Sequence, residues 1–204
     1  MQSILNLTCK EKNMSVNKKD IFASVQCFST KNFDIRFIKQ DDCEALLKVY
    51  SDKKSQPIFN SDNCHGDDFC YETIDRMNSA MKFWFESYEK RYFVRYAIVD
   101  RQTNTAIGTV ELFTRFADDH FNNCIIMRTD LLSSYEKKEY ISELTQKFIE
   151  HAKEYYEGQM IATKAISSAE DRISALLSLG FRKSDFSLIG FDGTEYNEYY
   201  EYNL

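Results

Sequence analysis

Two hydrophobic periods alternate along this chain, and each change of period marks the border of an element. Alternation from Phe33 to Lys39, from Tyr92 to Asp100 and from Ala106 to Phe116 predicts three strands. The last two are joined by Arg101-Gln102-Thr103-Asn104-Thr105, a polar loop of hairpin length, and Gly108 inside the second marks a bulge or a close backbone approach. Cys124 to Leu131 and Met160 to Ile166 read as two further strands. Between them Ile141, Leu144, Phe148, Ala152 and Tyr155 recur at helical spacing, with Glu143 and Lys147 paired on the wet face. Ser133 and Glu136 have the spacing of a capping box ahead of this helix. A shorter helix carries Ile173, Leu176 and Leu177 and ends at Gly180-Phe181, a glycine suited to the left-handed C′ position followed by an apolar residue that folds back.

Nearer the N-terminus, Asp41 is positioned to cap a helix whose inner face is Cys43, Leu46, Leu47 and Tyr50. A longer helix is expected from about Phe69 to about Tyr88, with Ile74, Met77, Met81, Trp84, Phe85 and Tyr88 on one stripe. The segment between them, Ser51 to Asp68, holds the only proline and reads as a loop. Lys183 to Phe191 and Tyr196 to Asn203 flank Asp192-Gly193 as a terminal hairpin. Short loops in the strand–helix–strand–helix stretch after Asn123 make its strands neighbours in one sheet. The fold class is therefore α+β with a mixed sheet. Residues 33–204 form the domain, and 1–32 an extension that packs on it or pairs with a partner.

Composition narrows the function. At 204 residues and 43% hydrophobic the chain can bury a sizeable core. A net charge of −6 argues against nucleic acid and favours cationic partners such as amines. No stretch approaches a membrane span, and the first twenty or so residues lack the apolar core of a signal peptide, so the cytoplasm is the expected location. The cysteines are scattered without framework spacing, which suits reduced thiols. Cys64-His65 with Asp67, Asp68 and Cys70 are metal-ligand types, yet no second ligand pair follows and no metal is expected. A thiol hydrolase would need a cysteine beside His65, His120 or His151.

The order of elements from Asn123 onward, closing with Ala169 to Phe181, resembles the GNAT acyltransferase superfamily. Ile35-Arg36-Phe37-Ile38 before Asp41-Asp42, and the hairpin of Tyr96 to Asp100 with Ala106 to Leu112, are most similar to its ribosomal-protein and small-amine acetyltransferase branch. The resemblance implies a GNAT acyl-CoA N-acyltransferase fold: a central, mostly antiparallel sheet, a parallel pair splayed at the cofactor site, and helices on both faces. It implies acetyl-CoA as co-substrate, with the backbone of Met127, Arg128 and Thr129 beside pantetheine. The pyrophosphate would lie at Glu136, Lys137, Lys138, Glu139, Tyr140 and Ile141. Here the family's small residues are replaced by larger ones, and Lys137 and Lys138 are left to supply charge. Ala169 stands where the family often has Asn, and Leu176 where it often has Tyr.

Acetyl transfer needs a neutral amine, so a carboxylate is sought. Glu111 and Asp130 are the best placed, and a phenol of the C-terminal strand, Tyr200, is the candidate proton donor to the departing thiolate. Trp84 or Phe85 would line the acceptor site, with core packing as the competing assignment. The resulting expectation is an N-acetyltransferase acting on a small-molecule or peptide amine by direct attack, monomeric or homodimeric. The alternative is a protein of the same fold that binds or regulates without acetyl transfer.

Overall fold

Strands whose residues are apolar on both faces take the centre of the sheet, because only there are both faces covered. β3 (Val94–Asp100), β4 (Thr105–Arg115) and β5 (Cys124–Leu131) fit this, and all are buried through most of their length. The computed structural model describes residues 18–59, 62 and 67–204. Its main sheet has eight strands. β1 (Phe28–Ser29) and β2 (Phe33–Phe37) precede the central three; β6 (Met160–Lys164), β10 (Tyr199–Asn203) and β7 (Arg182–Lys183) follow them, in the spatial order β1-β2-β3-β4-β5-β6-β10-β7. Among the described residues β5 and β6 are the one parallel pair.

α1 (Cys43–Tyr50) and α2 (Ile74–Glu89) cover one face; α3 (Lys138–Tyr155) and α4 (Glu170–Ser178) cover the other. Most of the expected helical faces form: Met77, Met81 and Trp84 are buried on α2, and Ile141, Leu144, Phe148 and Ala152 on α3, but α2 begins at Ile74 rather than near Phe69 and Ile74 itself is exposed in the first turn. α4 ends as its sequence implies. Gly180 has φ +94°, its N–H reaches the Leu177 carbonyl, and that of Phe181 reaches Leu176.

Gly108 serves both predicted ends. The β3–β4 register shifts between Ile98 and Val99, and a Cβ on Gly108 would stand 2.3 Å from the Asp130 carbonyl oxygen. The bulge and the close approach fix β4 against β5 at the residues that matter below.

Several local expectations are corrected. Asp42, not Asp41, organises the start of α1: its carboxylate accepts from the Lys39 N–H and pairs with Arg36 of β2. The Ser133–Glu136 capping box does not form, because α3 starts later, at Lys138, and Glu136 turns inward. Glu143 accepts from Asn32 rather than Lys147, which pairs with Glu150. The terminal hairpin is broken: Glu198 has φ +67°, so β9 (Glu195–Tyr196) pairs with β8 (Leu188–Ile189) as a separate ribbon while β10 joins the main sheet. In the described part of the N-terminal segment, Ile21 is buried and β1 extends the sheet edge.

His151 lies inside the α3 face, bonded to the Tyr96 hydroxyl, and burial pushes its pKa down to about 4. An unfolded histidine keeps its ordinary value near 6.5, so between these limits the unfolded chain binds the extra proton. Stability is complete above pH 6.5 and declines toward pH 4, by about 3 kcal/mol at the full shift. Chemical denaturation across this window should show the decline, and His151→Gln should remove most of its slope.

Candidate active site

Hydrogen bonding between β5 and β6 begins at Cys124↔Met160 and ends at Ile126↔Ala162, so from Met127 onward the two strands diverge. Strand alternation then aims Arg128 and Asp130 of β5, Thr109 and Glu111 of β4, and Arg95 of β3 at the face covered by α1 and α2. They form one buried network. Arg95, 3% exposed, is held by Glu111 and lies 3.4 Å from Asp130. Tyr50 of α1 donates its hydroxyl to Asp130 at 2.7 Å, and Arg95 donates to the Tyr50 and Thr109 oxygens. Arg128 holds the other side of Glu111 at 3.0 Å. Asp62, from the loop before α2, is met by Lys164 of β6 at 3.0 Å, by the Tyr199 hydroxyl, and by Arg128 at 3.9 Å. One loop carboxylate thus bridges the two diverging strands.

These surroundings separate the two central acids. Burial opposes ionisation of Glu111, but Arg95 and Arg128 outweigh it and hold the carboxyl below its ordinary value. Asp130 is fully buried, and burial outweighs Arg95 and raises its pKa. Among the described residues its Oδ1 has no hydrogen-bond partner, and neither does Nη1 of the buried Arg172 on α4.

Above the network lies a cleft. One lobe, about 870 Å³, is floored by Arg95, Glu111 and Arg128 and walled by Tyr71, Trp84 and Phe93 among others. A second lobe of about 750 Å³ runs between Ile126, Arg128 and the β8–β9 ribbon. Tyr92, Phe113 and Arg128 line both. Trp84 therefore packs in the core and lines the cleft at once, its ring 4.3 Å from the Arg95 guanidinium.

At the far end of the diverging strands, no side chain caps α3, leaving the N–H groups of its first turn to an external acceptor. Lys137 and Lys138 are exposed there. Glu136 does not face outward; it is bound to Arg172 beside a small cavity of about 250 Å³ that also reaches Ile58 and Ala169. Burial raises the Glu136 pKa despite the arginine.

Of the sequence-predicted residues, Glu111 and Asp130 come together through Arg95, and Met127, Arg128 and Thr129 lie where β5 leaves β6. Lys137, Lys138, Glu139 and Tyr140 gather at the start of α3, while Ile141 is buried in the core. Tyr200 is not with them: its side chain packs into the α3–α4 layer, whereas Tyr199 faces Asp62. Sequence reading missed Arg95, Asp62, Tyr50 and Arg172. A charged residue within an otherwise apolar strand was the available signal for Arg95; Asp62 sat unmarked in a polar loop. Cys64 and His65 lie outside the described residues. Among the described residues no cluster of metal-ligating side chains occurs, no cysteine is bonded to a histidine, and burial pushes the Cys124 thiol up to about 12. No described helix is long and apolar enough to cross a membrane.

Comparison with known proteins follows this geometry. Residues 32–182 match the family model described as an acetyltransferase (GNAT) domain. No curated protein matches the sequence. Among solved structures, a GNAT-family acetyltransferase from Bacillus anthracis superposes with TM-score 0.63 at 12% identity, over 87% of this chain and 98% of the other. Ribosomal-protein-S5-alanine acetyltransferase from Vibrio fischeri gives 0.58 at 14% identity, over 86% and 94%. An N-acetyltransferase from Staphylococcus aureus Mu50 gives 0.55 at 21% identity, over 84% and 98%.

Arg95→Met should destabilise the protein by about 3–5 kcal/mol, since it strips a counterion from two buried carboxylates. Adding Asp130→Asn should restore part of that loss. Urea denaturation of the single and double variants measures both.

Proposed function

Because the chain belongs to the GNAT acetyltransferase family, we infer that it moves an acetyl group from acetyl-CoA to a primary amine seated in the aromatic cleft. The observation that carries this reading is the end of the β5–β6 ladder at Ile126↔Ala162, which opens the sheet beneath the cleft floor and beside the uncapped start of α3. Acetyl-CoA, when bound, supplies an acyl group activated as a thioester.

The residues present fit that group. The first-turn N–H groups of Lys138, Glu139 and Tyr140, with the Lys137 and Lys138 side chains, would hold the pyrophosphate. Glu136, neutralised by Arg172, does not oppose it. Backbone of Met127, Arg128 and Thr129 would run beside the pantetheine arm. Asp130 Oδ1 and Arg172 Nη1 would offer an acceptor and a donor to its amides, and both atoms are buried without partners among the described residues.

On the acceptor side, Glu111 is the carboxylate that reaches the cleft floor. Its depressed pKa keeps it ionised throughout the neutral range, so it would attract the ammonium and accept through water the proton that the nitrogen must lose to free its lone pair. Asp130 acts one layer down, fixing Tyr50 and Arg95, and is a positioning residue. Aromatic walls exclude water and hold the amine by cation–π attraction.

A second reading, a binding protein without transfer, is favoured by the Glu136–Arg172 pair, which leaves only a cavity of about 250 Å³ between the starts of α3 and α4. Calorimetric titration with acetyl-CoA separates the two. Micromolar binding, weakened at least tenfold by Lys137→Glu with Lys138→Glu, is expected; no heat from folded protein at millimolar cofactor overturns the transferase reading. Glu111→Gln should keep cofactor affinity and lower kcat about 100-fold or more. The wild-type rate should rise with pH along the acceptor amine's titration, with no acid limb from Glu111 above pH 5.

A further inference from the structure

The two lobes of the cleft differ in chemistry. The first holds Glu111 and Trp84, the groups suited to an amine; the second holds neither. Phe113, Ile126, Leu188, Ile189 and Tyr196 wall the second lobe. At about 750 Å³ it is by itself the size of a complete small-ligand site, about 300–1,000 Å³. An acetyl group, which carries one methyl on the thioester carbonyl, would leave nearly all of it to water.

Every charged group on this lining has a partner. Asp62 is bound by Lys164 at 3.0 Å and by the Tyr199 hydroxyl, and Arg128 is bound by Glu111 at 3.0 Å. Arg115 pairs with Asp119 at 2.6 Å, and Asp192 accepts from the Thr194 N–H at 3.0 Å. An ionic ligand would have to compete with these contacts, so the lobe favours an apolar occupant. It is also preformed. The Ile189 N–H donates to Asp119 at 3.2 Å and its carbonyl accepts from Arg115 at 2.7 Å, so one ion pair fixes the β8–β9 ribbon as the far wall.

Position decides between donor and acceptor. Ile126 is the last residue of β5 in the ladder with β6, and Arg128 is the next on its face; both line this lobe. Asp62, also on the lining, ties to Lys164 of β6 at the same place. The lobe therefore opens on the gap between the diverging strands, where the reading above puts the thioester, and Glu111 is not among its walls.

We propose that the second lobe holds the acyl chain of the donor, and that this protein transfers unbranched acyl groups longer than acetyl. The proposal rests on the transferase reading and names its acyl class. The bond changes are those of any such transfer. A C–N bond forms as the C–S bond breaks; of the two protons the ammonium loses, one reaches Glu111 through water and the other goes to the departing thiolate.

The test is calorimetric titration of the full chain, with no amine present, by CoA and by acetyl-, butyryl-, hexanoyl- and octanoyl-CoA. Affinity should rise about twofold to fourfold for each methylene from acetyl to hexanoyl, as partial to full burial of a methylene supplies. Phe113→Trp narrows the lobe and should lower hexanoyl-CoA affinity tenfold or more relative to that of CoA. Phe113→Ala widens it and should move the tightest binding to octanoyl-CoA. Equal affinity for CoA and every acyl-CoA, from protein that binds CoA, overturns the acyl-chain proposal and leaves acetyl transfer standing. No binding of CoA itself overturns the transferase reading, and the acyl-chain proposal with it.

Discussion

A guanidinium buried beneath a sheet must be neutralised where it lies, and Arg95 imposes that requirement on the centre of this protein. Its partners come from different strands: Glu111 from β4, Asp130 from β5, with Tyr50 of α1 and Thr109 filling the remaining directions. The register that brings them together depends on the bulge beside Gly108, where β4 and β5 approach too closely for any side chain. Packing, hydrogen bonding and charge at this point are therefore one constraint. A slip of one residue in either strand would send the carboxylates to the opposite face.

The same network divides the chemistry of two acids that look equivalent. Glu111 lies between two arginines and stays ionised at the edge of the cleft; Asp130, one layer deeper, is dominated by burial. The first lines the cleft, and the second holds the framework. Arg128 links this centre to the bridge from Asp62 to Lys164, so the cleft floor and the gap between the diverging strands share a residue. A change in either is felt by the other.

Much of the fold was legible in the sequence because each element carries its own period and punctuation. The β5 strand is bounded as its apolar run implies, the α3 face is the one helical spacing selects, and Gly180-Phe181 ends α4 by local hydrogen bonds alone, although on α4 Leu177 is exposed and Arg172 and Ala175 are buried with Leu176. The order of those elements also pointed to the family that the match over residues 32–182 supports. Expectations that needed a choice between neighbouring polar residues fared worse. Glu143 with Lys147 and a capping box at Ser133 were decided by partners 111 and 36 residues away, and Asp41 against Asp42 by Arg36 on the preceding strand.

Periodicity and residue type thus determined which segments are strands and helices, which faces are apolar, and that acids and aromatic residues abound. Tertiary structure alone decided which of those acids meet a cation. Glu198, in a left-handed conformation, divided the C-terminal strand and left Tyr199 facing Asp62 while Tyr200 entered the helical layer. Arg95, Asp62 and Arg172 find counterions 16, 102 and 36 residues away along the chain. No local pattern encodes such pairings, because the energy of a buried charge depends on what surrounds it in space and not on its neighbours in sequence.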